Sequence, residues 1–123
     1  MINIRIQSRN NNIISYTIKD HALRDRDAIL VGEAYDMICN SVSVLSQSAI
    51  IGLDEVLKLN VNYEMADGYI HLDLSEFTLE EIEKAQVLLK TFEKSLESVI
   101  ISLDQSFGKK KRCKYIDFKK EEV

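Results

Sequence analysis

One histidine and one cysteine in the first third of the chain could carry out nucleophilic chemistry. His21 ends a predicted strand, and Cys39 falls in the first turn of a predicted helix that starts at Asp36. A cysteine at a helix start meets unpaired backbone N–H groups and the positive end of the helix dipole, which stabilise a thiolate relative to a thiol. If the residues between them fold back, the His21 imidazole could take the thiol proton and later deliver it to a leaving amine.

Asp36 and Ser43 are the candidate supporting residues. Asp36 is predicted as the helix N-cap, because its carboxylate can accept N–H groups of the first turn. Ser43 lies one helical turn after Cys39, where its small hydroxyl leaves room beside the sulfur. Helix-start amides could also donate to an oxyanion. Spacing alone leaves other interpretations open: Cys39 as a small core residue, His21 as a solvated turn residue and Asp36 as a cap only.

The histidines and cysteines do not form a recognisable metal-binding pattern. His21, Cys39, His71 and Cys113 lack the short paired spacings of zinc sites, so no metal is expected. His71, on the polar side of an alternating strand, and Cys113, in the last strand, are both predicted to be structural. The sequence has no phosphate-binding glycine loop, nucleophile elbow or paired-carboxylate motif, and no cofactor is expected.

Length and composition predict one domain over residues 1–123. The chain is 46% hydrophobic and 29% charged, which is ordinary for a compact domain with one core. No apolar run is long enough to span a bilayer, and the N-terminus lacks the order of a signal peptide, so a cytoplasmic location without membrane contact is expected. Reducing cytosol would keep both cysteines as thiols.

Charge is distributed unevenly along the chain. The formal net charge of −4 argues against a protein built mainly to hold nucleic-acid phosphates. One local basic run, however, comprises Lys109, Lys110, Lys111, Arg112 and Lys114. It is interpreted as a solvated turn, with contact to RNA or an RNA-bound partner as the alternative.

Hydrophobic periodicity predicts an α+β fold with the element order ββαββαβ. Alternating apolar residues predict one hairpin from Ile2 to Ile18 and another from Val61 to Leu74, the second turning at Asp67-Gly68. Hairpins separated by helices indicate a mostly antiparallel sheet with two helices packed on one face.

Two stretches have helical periodicity. Apolar spacings of three and four residues run from Asp36 to near Leu59 and, after a capping box at Thr78 and Glu81, on to a stop at Gly108. A last strand is expected around 112–118, followed by a frayed charged tail.

The His-Ala and Asp-x-x-Cys-x-x-x-Ser elements together resemble the signature of the bacterial ribosomal-processing cysteine proteases. That signature is Gly-His-Ala, a short loop, and Asp-x-Val-Cys-Ala-Ala-Val-Ser at a helix start. Here His21-Ala22 is followed by a longer interval and then by residues 36–43, DMICNSVS. Asp20 replaces the glycine, and Asn40-Ser41 replaces the alanine pair. These departures leave the nucleophile and base in place and are expected to affect efficiency and the cleavage sequence.

The resemblance implies a small homodimer that removes a short N-terminal extension from a ribosomal large-subunit protein precursor. In this family Cys39 would be the nucleophile and His21 the general base and acid, with Asp36 and Ser43 in supporting roles. The segment between His21 and Cys39 is expected to be mobile and to order over an extended peptide. The alternative is a non-catalytic homologue that only binds ribosomal protein or RNA.

Overall fold

The part of the chain that the structure describes is an α+β fold of five strands and two long helices. The structure is a computed structural model that describes residues 1–19, 32–66 and 68–123, and of residues 32–37 it describes the backbone alone. In chain order the elements are β1 (Ile2–Arg9), β2 (Asn12–Lys19), α1 (Gly32–Ile51), a π-helical segment (Gly52–Val56), β3 (Asn62–Ala66), β4 (Tyr69–Asp73), α2 (Leu79–Phe107), the single turn α3 (Lys109–Arg112) and β5 (Ile116–Glu122). The predicted order ββαββαβ is confirmed. None of the described helices is long and apolar enough to cross a bilayer.

The strands form one sheet in the order β3-β4-β2-β1-β5. Three of the four neighbouring pairs are antiparallel, and β1 with β5 is parallel. A parallel strand requires a long crossover, which α2 supplies between β4 and β5. The prediction of a mostly antiparallel sheet is therefore confirmed.

The core lies between one face of this sheet and both helices, as predicted. Tyr16, at the centre of the buried face, contacts each helix: its hydroxyl donates to the Ser46 carbonyl of α1 at 2.8 Å, and its ring centroid lies 4.5 Å from that of Phe92 in α2. Burial raises the pKa of the Tyr16 hydroxyl, so the group remains protonated and continues to donate. The α2 stripe is buried as its spacing predicts, at Ile82, Ala85, Leu89, Phe92 and Leu96.

The ends of α2 follow the sequence signals. The backbone N–H of Glu81 donates to the Thr78 hydroxyl at 3.2 Å, and the Thr78 backbone N–H donates to the Glu81 carboxylate at 3.1 Å. The predicted capping box is thus present. At the other end Gly108 has a φ of 82°, a conformation that residues with a Cβ rarely adopt, and the helix stops there.

The opposite sheet face is polar and carries cross-strand hydrogen bonds. Ser15 donates to the Gln7 side chain at 2.8 Å, and the Thr17 hydroxyl is 2.8 Å from Nδ1 of His71. His71 lies on this polar face, as predicted.

The C-terminal residues are more ordered than the sequence suggested. The expected frayed tail lies in β5, paired with β1 as far as Glu122. Lys120 of β5 also donates to Glu93 of α2 at 3.2 Å and to Glu97, an interaction that lowers the pKa of Glu97 and raises that of Lys120. Cys113 is not in a strand; it follows α3 and is exposed. Composition indicated a frayed end, whereas pairing with β1 satisfies the backbone of these charged residues.

A β-bulge in the first hairpin explains a break in the alternation. Gln7 pairs with Ser15 but Ser8 pairs with Ile13, so Ile14 is the extra residue. Both Ile13 and Ile14 are consequently buried. The side chain of Gln86 in α2 satisfies the displaced backbone, accepting from Ile13 N–H at 2.7 Å and donating to Ile13 C=O at 2.9 Å.

Replacing Gln86 by leucine should destabilise the protein by about 2 kcal/mol or more, because it leaves a buried donor and a buried acceptor of Ile13 unpaired. Urea unfolding followed by circular dichroism measures the change. Gln105→Leu, an exposed site on the same helix, is the control and should change stability by less than about 0.5 kcal/mol. Equal effects of the two substitutions would contradict this role for Gln86.

Candidate active site

The predicted catalytic pair is only partly within the described part of the chain. Cys39 lies in α1, whereas His21 lies outside the described residues, as does the segment expected to order over a substrate. The contact between His21 and Cys39 therefore stays a prediction.

The start of α1 differs from the sequence prediction. The helix begins at Gly32, four residues before Asp36, which is therefore not the N-cap. Cys39 is the eighth helical residue rather than the third. At this position the backbone N–H of Cys39 belongs to the regular i to i−4 hydrogen bonds of the helix. The unpaired amides of the first turn of α1 therefore do not surround the sulfur. The prediction failed because residues 32–35 lack an apolar stripe, although Glu33 and Ala34 are good helix formers.

Cys39 is half-buried and packs against the edge of the hydrophobic core. One turn later, the Ser43 hydroxyl accepts a hydrogen bond from Gln47 Nε2 at 2.8 Å, and the Ser43 carbonyl accepts one from the Ser46 hydroxyl at 2.9 Å. Ser46 is fully buried, and its carbonyl accepts the hydrogen bond from the Tyr16 hydroxyl. The structure thus brings Cys39 and Ser43 together on one stretch of α1 and fixes that stretch to the sheet.

The two flanks of α1 have different neighbours. On one flank α1 faces α2: a Cβ at Gly52, directly after α1, would lie 2.8 Å from Leu88, and Ile38 and Ser41 line a groove with the last turns of α2. Cys39 follows Ile38 by about 100° around the helix, and Ser43 lies further round in the same direction. The sulfur is therefore on the flank away from α2.

That flank faces the β4 and β3 side of the sheet. Gln86 of α2 bonds to β2, and Glu93 of α2 bonds to β5, which places α2 over the β2, β1 and β5 half. The helix α1 then covers the other half. At its margin, Tyr63 and Met65 of the edge strand β3 point to the helix side of the sheet, since they pair with the buried Leu72 and Ile70.

Tyr63 and Met65 are nevertheless 45% and 48% exposed. We call the surface formed by Cys39, Ser43, Tyr63 and Met65 the α1/β3 surface. The contribution of Tyr63 and Met65 to this surface could not be identified from the sequence. The alternation of Val61, Tyr63 and Met65 predicts only that these side chains share a buried face. Whether β3 is an edge strand depends on strand pairings, which alternation does not specify. An extended peptide could add as a further strand to the outer edge of β3, on the half of the sheet that is covered by the helix carrying Cys39.

Within the described ranges, no group of three or more histidine, cysteine, aspartate or glutamate side chains is arranged so that it could hold a metal ion.

Comparison with solved structures finds the same fold in several bacterial proteins. SMU.848 from Streptococcus mutans is 26% identical, with a TM-score of 0.72 and coverage of 100% of this chain and 99% of that one. The essential ribosomal processing protease Prp from S. aureus, solved with a substrate peptide, is 14% identical, with a TM-score of 0.69 and coverage of 98% and 99%. The same S. aureus protease with a covalently linked product peptide gives 16% identity and a TM-score of 0.65, again with coverage of 98% and 99%. No curated protein matches the sequence.

The family comparison covers most of the chain. The family described as cysteine protease Prp matches residues 1–107, which include every strand and helix up to the end of α2. The remaining residues, which form α3 and β5, lie beyond the matched part. The chain belongs to the Prp family of cysteine proteases.

Proposed function

We propose that this protein is a cysteine endopeptidase that removes a short N-terminal extension from a ribosomal large-subunit protein precursor. The observation that carries the proposal is the match of residues 1–107 to the Prp family, in a chain whose Cys39 is half-buried against the core. The S. aureus relative, a ribosomal processing protease solved with substrate and product peptides, supports the substrate class.

In the proposed mechanism Cys39 is the nucleophile and His21 the general base and acid. His21 takes the proton from Sγ, and the thiolate attacks the scissile carbonyl to form a tetrahedral oxyanion. The imidazolium then protonates the leaving amine, and water, activated by the same imidazole, hydrolyses the thioester. Products are the shortened protein and the released extension.

The position of Cys39 within α1 changes how the thiolate is activated. Because the sulfur is two turns from the helix start, the dipole effect, which falls off within the first turn, contributes little. Activation in this proposal therefore depends on ion pairing with His21, and oxyanion donors come from residues other than the first turn of α1. Ser43 and Asp36, one turn after and one turn before Cys39, are proposed to support the dyad rather than to react.

The proposed substrate lies extended along the α1/β3 surface. Among the described residues β3 pairs with β4 alone, so in this proposal its outer backbone groups accept the added strand. Tyr63 and Met65 would contact apolar side chains of the peptide on the same side as the sulfur.

A homodimer in the cytoplasm is the proposed state of the protein. Exposed apolar side chains lie on the outer face of α1 and continue past its end: Val44, Ile51, Val56 and Leu57, which are exposed by 63%, 51%, 74% and 37%. Val44 and Ile51 are two helical turns apart and hence on one face. Water-exposed apolar side chains in such a row favour burial against a second copy.

The wild-type protein should cut peptides from the N-termini of its host's own ribosomal large-subunit proteins at a single bond. Cys39→Ala should abolish cleavage, and His21→Ala should reduce kcat/KM by about 100-fold or more, because proton transfer is lost. Mass spectrometry of the products measures both effects. The matched controls Cys113→Ala and His71→Ala should retain wild-type rates, and cleavage by Cys39→Ala would disprove the proposal.

Iodoacetamide at about pH 6.5 should modify half-buried Cys39 at least roughly 10-fold faster than exposed Cys113, since the thiolate and not the thiol reacts. Peptide mapping gives both rates in one sample. His21→Ala should slow the reaction at Cys39, while His71→Ala, on the opposite sheet face, should not. Equally slow labelling of both cysteines would favour a non-catalytic homologue.

The double substitution Val44→Glu with Ile51→Glu should convert the dimer to a monomer, because it places two carboxylates in the proposed apolar interface. Light scattering coupled to size exclusion measures the mass. Val87→Glu, at a 76% exposed site on α2, is the control and should leave the mass unchanged. A dimer that persists with both glutamates would assign the interface elsewhere.

A further inference from the structure

The basic run forms a defined corner between α2 and β5. Gly108 ends α2, and residues 109–112 form the single turn α3. Tyr115, 8% exposed, then anchors the chain: its carbonyl accepts from the backbone N–H of Ile2 at 2.8 Å, and its ring lies edge-on to Phe107. The corner is therefore held at both ends. We call residues 109–114 the basic corner.

Within the part of the chain that the structure describes, Arg112 is the one cation of the basic corner that forms an ion pair. Arg112 donates from Nε to the Asp104 carboxylate at 2.7 Å, and this hydrogen bond raises the pKa of the guanidinium. Its side chain is only 13% exposed. Arg112 therefore attaches the corner to α2 and is not available to a partner.

The four lysines of the basic corner point into solvent. Lys109, Lys110, Lys111 and Lys114 are exposed, and none forms an ion pair with any residue in ranges 1–19, 32–66 and 68–123 that the structure describes. Lys111 instead sits 5.3 Å from the centroid of the Phe107 ring. Four unneutralised positive charges in six residues contrast with a net charge of −4 for the whole chain. Such a concentration attracts a polyanion.

The basic corner is at the same end of the helical layer as Cys39. The C-terminal turns of α2 and the N-terminal half of α1 line a groove of about 420 Å³, with Ile38 on one wall and Phe107 on the other. Cys39 is the residue after Ile38, and Lys109 follows Phe107 by two. A polyanion on the corner would thus lie at the same end of the helical layer as Cys39 but across α1 from the α1/β3 surface, since β3 and β5 are opposite edges of the sheet.

We propose that the basic corner binds backbone phosphates of RNA without reading sequence. Lysine ammonium groups act as point charges that neutralise phosphates, and residues 109–111 fan out around one helical turn, which suits a phosphate chain that curves past them. An anionic membrane is less well matched, because Phe107, the large apolar residue next to the corner in the chain, is 38% exposed and lies under Lys111. An acidic peptide has a lower density of negative charge along its length than the paired strands of an RNA hairpin.

The biological consequence of this contact rests on the proposed function. A protease that acts on a ribosomal protein precursor has a substrate that is destined to bind ribosomal RNA, so an RNA contact at this end would raise the local concentration of that substrate. The basic corner lies beyond residues 1–107 that match the family, and the family resemblance does not supply it.

Fluorescence anisotropy with a labelled RNA hairpin of about 20 nucleotides tests the contact on the full-length protein. With four phosphates neutralised, wild-type affinity should fall by roughly 50- to 150-fold between about 50 mM and about 200 mM salt. Substitution of Lys109, Lys110, Lys111 and Lys114 by alanine should lower affinity at least about 10-fold at the lower salt and flatten the salt dependence.

A variant with the same change of charge is the control. Alanine at Lys84, Lys90, Lys94 and Lys119 removes four lysines elsewhere and should keep affinity within about 3-fold of wild type. Equal losses in the two quadruple variants, no loss in either, or tighter binding to vesicles of anionic phospholipid than to RNA would each overturn the proposal. Because the corner lysines are exposed, thermal unfolding should show that the corner variant folds normally.

The RNA contact and the protease activity can fail separately. Cys39→Ala should retain full RNA affinity while losing cleavage, and the corner variant should cleave a short free peptide at the wild-type rate. RNA binding that disappears in Cys39→Ala would overturn the assignment to the basic corner.

Discussion

The position of the candidate nucleophile depends on one buried tyrosine. The Tyr16 ring packs against Phe92 of α2, while its hydroxyl, with a pKa raised by burial, donates to the Ser46 carbonyl of α1. One side chain therefore sets both helices against the sheet. Cys39 lies two turns before Ser46, so its distance from the sheet edge is determined by this attachment. A phenylalanine at position 16 would fill nearly the same volume, but the Ser46 carbonyl would lose the hydrogen bond that the Tyr16 hydroxyl donates.

The fold could be predicted to a large extent because its signals are local. Strand alternation, the capping box at Thr78 and the glycine stop at Gly108 each rest on a few neighbouring residues, and each is present in the structure. The prediction failed where distant pairing decides. The composition of the residues after Phe118 predicts a frayed tail. In the structure they pair with β1, which lies more than a hundred residues earlier in the chain. Likewise, the bulge at Ile14 breaks the alternation, and a glutamine on α2 satisfies the backbone of the neighbouring Ile13.

The roles of the candidate site residues stay predictions, and the geometry differs in part from the one expected. The pattern around Cys39 selected this cysteine as the candidate nucleophile, but α1 begins at Gly32, so the proposed source of the thiolate changes from helix amides to His21. The apolar periodicity that marked the helix runs from Asp36 onward, and residues 32–35 carry no such signal. Tyr63 and Met65 were missed because sheet order, which makes β3 an edge, is a property of the whole fold.

The parallel pairing of β1 with β5 has a consequence for synthesis of the protein. Strand β1 is bordered by β2, made immediately after it, and by β5, made after all the other described strands. Until residues 116–122 have left the ribosome, one side of β1 presents bare peptide groups, and Lys120 has not yet reached Glu93. The nascent chain is thus vulnerable to mispairing along this side of β1 until β5 emerges, and β5 then protects it.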